Sequence, residues 1–445
     1  MYQTLKRYII VFLQICKGGL KFEQYKELCS QLAHDLLINH KDSVYSADYG
    51  ELINFISKYA KKNPRLVGDP KNIFDFLFEA GILKKKIDRY TFRLNGIFEY
   101  FLAYYIKENP EFKEEILSDD SIYLNFKNEL EIYSGFNRKD EKFLKKVYEK
   151  TRLVYDSVFP RYLKAGDLDT ALLSKIGEAE TFAADFKKIK IPEPIKHEIQ
   201  DAIKDKNEPL NTMSEVHLKE KVDIAQINSE ILEKYVSIIA RVFKNSDGIE
   251  NVELIHEIFD YILECYCNLG FYLIKEIKEY ARTENQKQES EEFVIGEELL
   301  KALSRFIPVL TETLLYDGLG HVNLKTIILE KIEQLNMDSK NNQYKLFLLY
   351  FLLIDCDIKA NKNYINEAFE NVKMSVLKVS TLFKLNIYLA FKAYNNKDLE
   401  SYLKKQIQTA NLNLDSRSDV GLIQRGLAKR TKSNIVKAQS ENQQI

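Results

Sequence analysis

The sequence predicts an all-α fold, mainly helical, with one small β-hairpin toward its N-terminal end. Three observations lead there. Only 16 Gly and 8 Pro punctuate 445 residues, too few for the turns of a strand-rich fold. Apolar residues recur at three- and four-residue steps along most of the chain, the period of a helix that buries one face. Residues 82–94 break that period with short runs and β-favouring side chains. Hydrophobic residues make up 45% of the chain, enough to fill real cores, and the length suits two to four domains.

The run Tyr8–Leu13 follows Lys6 and Arg7 as a signal peptide would, but it is short, Gln14 ends it and no small-residue cleavage site follows. It is expected to be a buried first helix. Phe22, Tyr25, Leu28, Leu32 and Leu36 then share one side of a second helix. Another is expected to start near Ala47 and to carry Leu52, Ile53, Phe55, Ile56 and Tyr59. Asp69-Pro70 opens a further helix, since Asp accepts from free N–H groups and Pro fits the first helical position. Gly81 should close it in a left-handed conformation.

Ile82–Lys86 and Tyr90–Leu94, parted by Asp88-Arg89, read as the hairpin. Asn95 is then expected to cap an aromatic helix through Ile106, with Pro110 preventing its continuation. Helices, a hairpin and a helix in this order make a winged-helix-like N-terminal region.

Phe92-Arg-Leu-Asn-Gly-Ile-Phe-Glu-Tyr-Phe-Leu-Ala103 resembles F-R-H-x-x-F-x-E-Y-F-x-A, a motif of the winged-helix region that follows the ATPase core in NACHT-type STAND NTPases. Phe76–Leu83 is similar to the family's lead-in of a leucine-rich helix and G-I-L. The resemblance covers about residues 1–135 and implies a regulatory region beside an ATPase core. It also implies that the Leu94 position is where relatives often carry a histidine that senses the phosphates of ADP; Leu94 has no donor for a phosphate. Phe92, Tyr100, Phe101 and Ala103 of the motif are expected to be core, and Glu99 a helix-surface ion-pair partner or an interdomain latch. No G-x-x-x-x-G-K-[S/T] occurs, so neither a nucleotide cofactor nor ATP hydrolysis is expected of this chain by itself.

Beyond this region, residues 136–188 read as a helical extension, with Leu163, Leu168, Leu172, Leu173 and Ile176 apolar and a turn at Ala165–Asp167. Residues 189–223 turn polar, with Pro192, Pro194 and Pro209, and read as a linker; 224–281 is helical and 282–292, without an apolar side chain, is a second linker. Residues 293–411 form a helical bundle or an α-solenoid-like array, in which Pro308 should kink or break the first helix. The turns at Asn361 and Asn396 are 35 residues apart, near the period of tetratricopeptide-type hairpins, whose stacking makes a concave surface for protein partners. Residues 412–445 are expected to be a disordered basic tail.

Lys+Arg (65) and Asp+Glu (66) nearly cancel, so no overall field directs the chain to nucleic acid or an anionic membrane. Local nucleic-acid contact would use Lys84, Lys85, Lys86 and Arg89, or Arg425, Lys429, Arg430 and Lys432 in the tail. Leu346–Ile354 is half the length needed to span a bilayer, so no membrane partner is expected. Five scattered cysteines suit a reducing cytoplasm.

His197-Glu198 with Asp201, and His256-Glu257 with Asp260, imitate a zincin helix but put Asp where the second His ligand belongs. Cys265 and Cys267 are spaced too closely for the usual thiol pair, and the six histidines show no triad spacing. No catalytic or metal residue is therefore expected. The leading expectation is a non-catalytic sensor or regulatory module whose protein partner is an ATPase core or a sensed ligand protein, with a link to bacterial antiphage defence implied by the resemblance. A standalone helical-repeat scaffold and a winged-helix nucleic-acid binder are the alternatives.

Overall fold

A computed structural model describes residues 21–63, 68–159, 226–287, 297–393 and 396–414, together with Lys219, Val222 and Ile224. The run at 8–13, the extension from 160 to 188, most of the 189–223 linker, His197 and the basic residues of the tail lie outside them. The chain divides into one unit of Met1–Thr151 with Ile191–Val252 and another of Arg152–Lys190 with Glu253–Ile445. The fold is mainly helical with a single two-stranded hairpin among the described residues.

The first unit opens with α1 (Phe22–Asn39), α2 (Tyr49–Lys62) and α3 (Pro70–Glu79). Asp48 and Glu51 close a reciprocal capping box on α2, so that helix begins two residues later than Ala47. Asp69 caps α3 through the Lys71 N–H at 3.2 Å, with Pro70 in the first helical position. At its other end the Gly81 N–H donates to the Phe78 carbonyl and Ile82 N–H to Leu77, while Gly81 takes φ +69°. That pattern needs a left-handed residue, which glycine supplies without steric cost.

The hairpin follows as β1 (Leu83–Lys86) and β2 (Arg89–Phe92), antiparallel, with Leu83 opposite Phe92 and Lys86 opposite Arg89. Its loop is therefore Ile87-Asp88, shifted by one residue from the expected Asp88-Arg89. Ala47 adds a single bridge to β2 at Tyr90.

Then come α4 (Asn95–Glu108), α5 (Pro110–Ser118), the short α6 (Asp120–Tyr123), α7 (Lys127–Phe136), α8 (Glu141–Val158) and, after the polar stretch, α9 (Ser229–Asn245). Asn95 does not cap α4: Leu94 occupies the cap position, without a side-chain cap bond, and Asn95 is the first helical residue. Helix α4 stops at Glu108, short of Pro110 as expected, and Pro110 opens α5 in its first position. The core forms where α4 packs on α1 on one side and α7 on the other, with α9 against α7.

The second unit contains α10 (Val252–Lys287), which runs into the expected 282–292 linker, and α11 (Glu297–Leu319), in which Pro308 lies inside a continuous helix. Then follow α12 (Lys325–Asn336), α13 (Gln343–Cys356), α14 (Ile358–Asn361), α15 (Tyr364–Asn371), α16 (Ser375–Ile387) with a π turn over Tyr388–Lys392, and α17 (Lys397–Leu414). Helix α13 sits in the middle, packed by α11, α12, α15 and α16. Gly270 of α10 lies where an added methyl would strike the Thr311 and Tyr344 hydroxyls, a close approach that only glycine allows. The two helical hairpins are unequal: α15 has 8 residues and α17 has 18. No described helix is long and apolar enough to cross a membrane.

Ile87 is β-branched, takes φ +58° and is 87% exposed, so it bears left-handed strain of about 1–2 kcal/mol with little burial in return. Ile87→Asn should relieve most of it, because Asn tolerates that conformation in a two-residue hairpin loop. Calorimetry should show the melting temperature rising by roughly 2–4 °C per kcal/mol recovered. An unchanged or lower value would mean that the loop is not strained.

Candidate functional site

The motif helix α4 is apolar on nearly every side. Phe98, Tyr100, Phe101, Leu102, Ala103 and Ile106 are all buried, so the helix is held on all sides by neighbours. Phe92 of β2 joins it, its ring 5.8 Å from Phe98 and 5.7 Å from Phe101, and Tyr100 meets Phe136 of α7 edge-on at 5.2 Å. Four motif positions, Phe92, Tyr100, Phe101 and Ala103, thus lie in the core. Glu99 is half-buried and accepts a 2.8 Å hydrogen bond from the Asn128 side-chain amide. Leu94, at the entrance of the helix, leaves 45% of its surface exposed.

Around the start of this helix the chain is strained. Val44 and Tyr45 take φ +54° and +53°, a conformation that side-chain-bearing residues rarely adopt in succession. Several bonds hold the pair there. The Tyr45 ring stacks on Phe98 at 5.2 Å, its carbonyl accepts from the Thr91 hydroxyl at 3.1 Å, and its N–H donates to His40. Arg89 of β2 grips the following turn, donating to the Ser46 carbonyl at 2.7 Å, to the Ser43 hydroxyl at 3.3 Å and to Glu51 at 3.1 Å. Hairpin, strained turn and α2 are therefore clamped by one guanidinium.

That commitment matters for the basic group Lys84, Lys85, Lys86 and Arg89. Arg89 turns inward, Lys85 lies 3.9 Å from Asp88, and burial with nearby Lys86 and Arg93 lowers the affinity of the Lys84 amine for its proton. The hairpin does not gather the four into one free cationic wing.

The hydroxyl of Tyr45 accepts from the Lys219 N–H at 2.7 Å, and Lys219 extends its ammonium toward Glu129 of α7. Glu129 is fully buried, 2.9 Å from that ammonium, and neither of its oxygens takes a well-aligned hydrogen bond. The ammonium also donates to the Asn125 carbonyl at 2.7 Å and sits 4.7 Å from the Phe126 ring centre. Burial pushes the Glu129 carboxyl up; Lys219 opposes this and Glu99 reinforces it. The Val222 N–H donates to the Ser121 carbonyl at 3.0 Å, so residues of the expected 189–223 linker dock on α6 and α7.

The zincin-like and cysteine residues that are described are engaged in packing and ion pairs. His256 faces Glu330 at 3.8 Å and Asp260 holds Lys331 at 2.6 Å, so this zincin-like face is engaged with α12. Cys265 and Cys267 are buried, and burial raises the Cys265 thiol well above its ordinary range, against thiolate chemistry.

The family model described as Novel STAND NTPase 4 matches residues 45–102. That segment is related to the STAND NTPases. It starts at strained Tyr45 and takes in α2, α3, the hairpin and the first half of α4. No curated protein and no solved structure matches the chain.

Sequence reasoning missed the Lys219–Glu129 pair, because two charges far apart in sequence leave no local signal; the one hint was an acidic residue on the apolar face of α7. Lys219→Met should cost about 3–5 kcal/mol, since it strands a buried carboxylate, and adding Glu129→Gln should recover most of it. Glu129 titrates higher in the folded chain than in the unfolded one, so the Lys219→Met variant should gain stability as pH falls toward the ordinary carboxylate range. Urea unfolding at several pH values measures both effects. Equal losses in the single and double variants would show that the pair is not coupled.

Proposed function

We propose that this chain is a non-catalytic regulatory and sensor module of a STAND signalling ATPase of the NACHT type. The observation that carries the reading is the STAND match over residues 45–102 in a sequence without a G-x-x-x-x-G-K-[S/T] phosphate loop. A STAND-related segment without a phosphate cradle fits a regulatory part that acts on an ATPase core outside these 445 residues, in the same polypeptide or in a partner.

The order of elements supports a winged-helix role for this segment. Helix α1, the Ala47 bridge, α2, α3 and the two strands follow one another as such a domain requires, and the hairpin is the wing. Leu94 stands where relatives often place a phosphate-sensing histidine, and with no donor it contributes an apolar contact to the core it meets. Residues 225–411 would bind the trigger protein, in keeping with the helical array expected there. By the same resemblance the output is antiphage defence.

The protein recovered from its native cells should carry phosphate-loop peptides by mass spectrometry, either in its own polypeptide or in one that is captured with it. Leu94→Glu should abolish that capture while the circular dichroism and melting temperature stay at wild-type values, since Leu94 is nearly half exposed. Retention of a captured ATPase by Leu94→Glu, or recovery of no phosphate-loop peptide with the wild type, would overturn the proposal.

A further inference from the structure

The second unit buries three charged side chains in one place. Glu312 of α11 is fully buried, and Asp355 of α13 and Lys384 of α16 each have only 6% of the side chain exposed. The Lys384 ammonium donates to Glu312 and lies 2.7 Å from Asp355. One cation cannot balance two carboxylates. A leftover charge this far from water costs several kcal/mol, far more than taking up a proton at neutral pH, so the cluster is balanced when one carboxyl is protonated.

The protein around it bears on where that proton resides. Tyr316 of α11, Cys356 of α13 and Tyr388 of the π turn face the cluster, and burial holds each of them neutral, above its ordinary range. Burial likewise pushes the Glu312 carboxyl up, with Asp355 adding to the effect and Lys384 opposing it. Lys384 itself is desolvated, yet its two carboxylates keep it charged. Glu312, the carboxyl with no surface exposed, is the better placed of the two to hold the proton.

The three helices that share the cluster are each irregular close to it. Pro308 lies one turn before Glu312, α13 ends at Cys356 immediately after Asp355, and α16 passes into the π turn one turn after Lys384. At each of these points the regular i to i−4 hydrogen-bond ladder is interrupted, and π turns occur frequently at functional sites. Within that π turn Phe391 is 77% exposed.

We propose that Glu312, Asp355 and Lys384 form a proton-operated switch, in which loss of the Glu312 proton places a net negative charge between α11, α13 and α16 and rearranges the π turn at Tyr388–Lys392. The site is independent of the STAND reading, which rests on residues 45–102. Because the folded Glu312 binds its proton more tightly than the unfolded one, its stabilising contribution is complete in acid and is lost as pH rises through the folded range.

The chain contains no Trp, so Phe391→Trp places a unique fluorophore on the π turn. Its emission in the full-length protein should change with pH on the alkaline side of the ordinary carboxylate range, with the melting temperature falling by roughly 3–5 °C per pH unit across the same window relative to a Glu312→Gln control. Glu312→Gln should remove the transition. Asp355→Asn should remove it too, because Lys384 and Glu312 then balance without a proton, and this variant serves if the first does not fold. A transition that persists unchanged in either folded variant, or a wild type with no transition between about pH 5 and pH 9, would overturn the switch.

Discussion

Each unit is organised by the same constraint, a helix with almost no polar face. Helix α4 buries residues on every side over Ile97–Ile106, and α13 does so over Gln343–Ile354. Such a helix is stable in water only when neighbours enclose it, so the positions of α1 and α7 in one unit, and of α11, α12, α15 and α16 in the other, follow from what these two must hide. Aromatic rings do much of the enclosing. In a chain with 27 Tyr, 26 Phe and no Trp, the packing relies on rings small enough to interleave, as Phe92, Phe98 and Phe101 do.

Polar groups inside these enclosures act as fasteners. Gln343 receives the Met374 N–H at 3.2 Å and donates to the Asn371 carbonyl at 3.0 Å, fixing the start of α13 to the start of α16. Asn361, nearly fully buried, donates to the Leu353 carbonyl at 2.7 Å and accepts from Lys325 at 3.1 Å. In the first unit Arg89 and Lys219 play the corresponding part, one fixing a strained turn to the hairpin and the other tying a distant segment to Glu129. Gln343, Asn361 and Arg89 each gain several directed bonds at once, which offsets the cost of removing them from water.

Much of the architecture was legible in the sequence. The helical period, Asp69-Pro70 and Gly81 as punctuation, the hairpin and the aromatic character of α4 are local signals, and each element formed within a few residues of its expected place. Boundaries set by side-chain caps were harder: the Asp48–Glu51 box moved α2, and the missing side-chain cap at Leu94 moved α4. The 282–292 stretch shows why polarity alone misleads. Arg282, Glu284, Gln286 and Lys287 are good helix formers as well as hydrophilic ones, and α10 continues through Lys287. The candidate site was visible as a motif but not as a mechanism. Phe92, Tyr100 and Phe101 could be assigned to the core from their spacing, whereas the left-handed Val44-Tyr45 pair, the inward turn of Arg89 and the buried charges of Glu129 and Glu312 arise from contacts between distant parts of the chain.

The enclosure of α13 also bears on how the protein is made. Chains leave the ribosome N-terminus first, at about 5–20 residues per second. When α13 emerges, α11 and α12 are already available to cover it, but α15 and α16 have still to leave the ribosome, and its apolar surface must wait for roughly 30 more residues to follow. During that interval the nascent chain presents one of its most adhesive segments, Leu346–Ile354, to whatever surrounds it. Until that cover arrives, this helix is the part of the second unit most prone to aggregate.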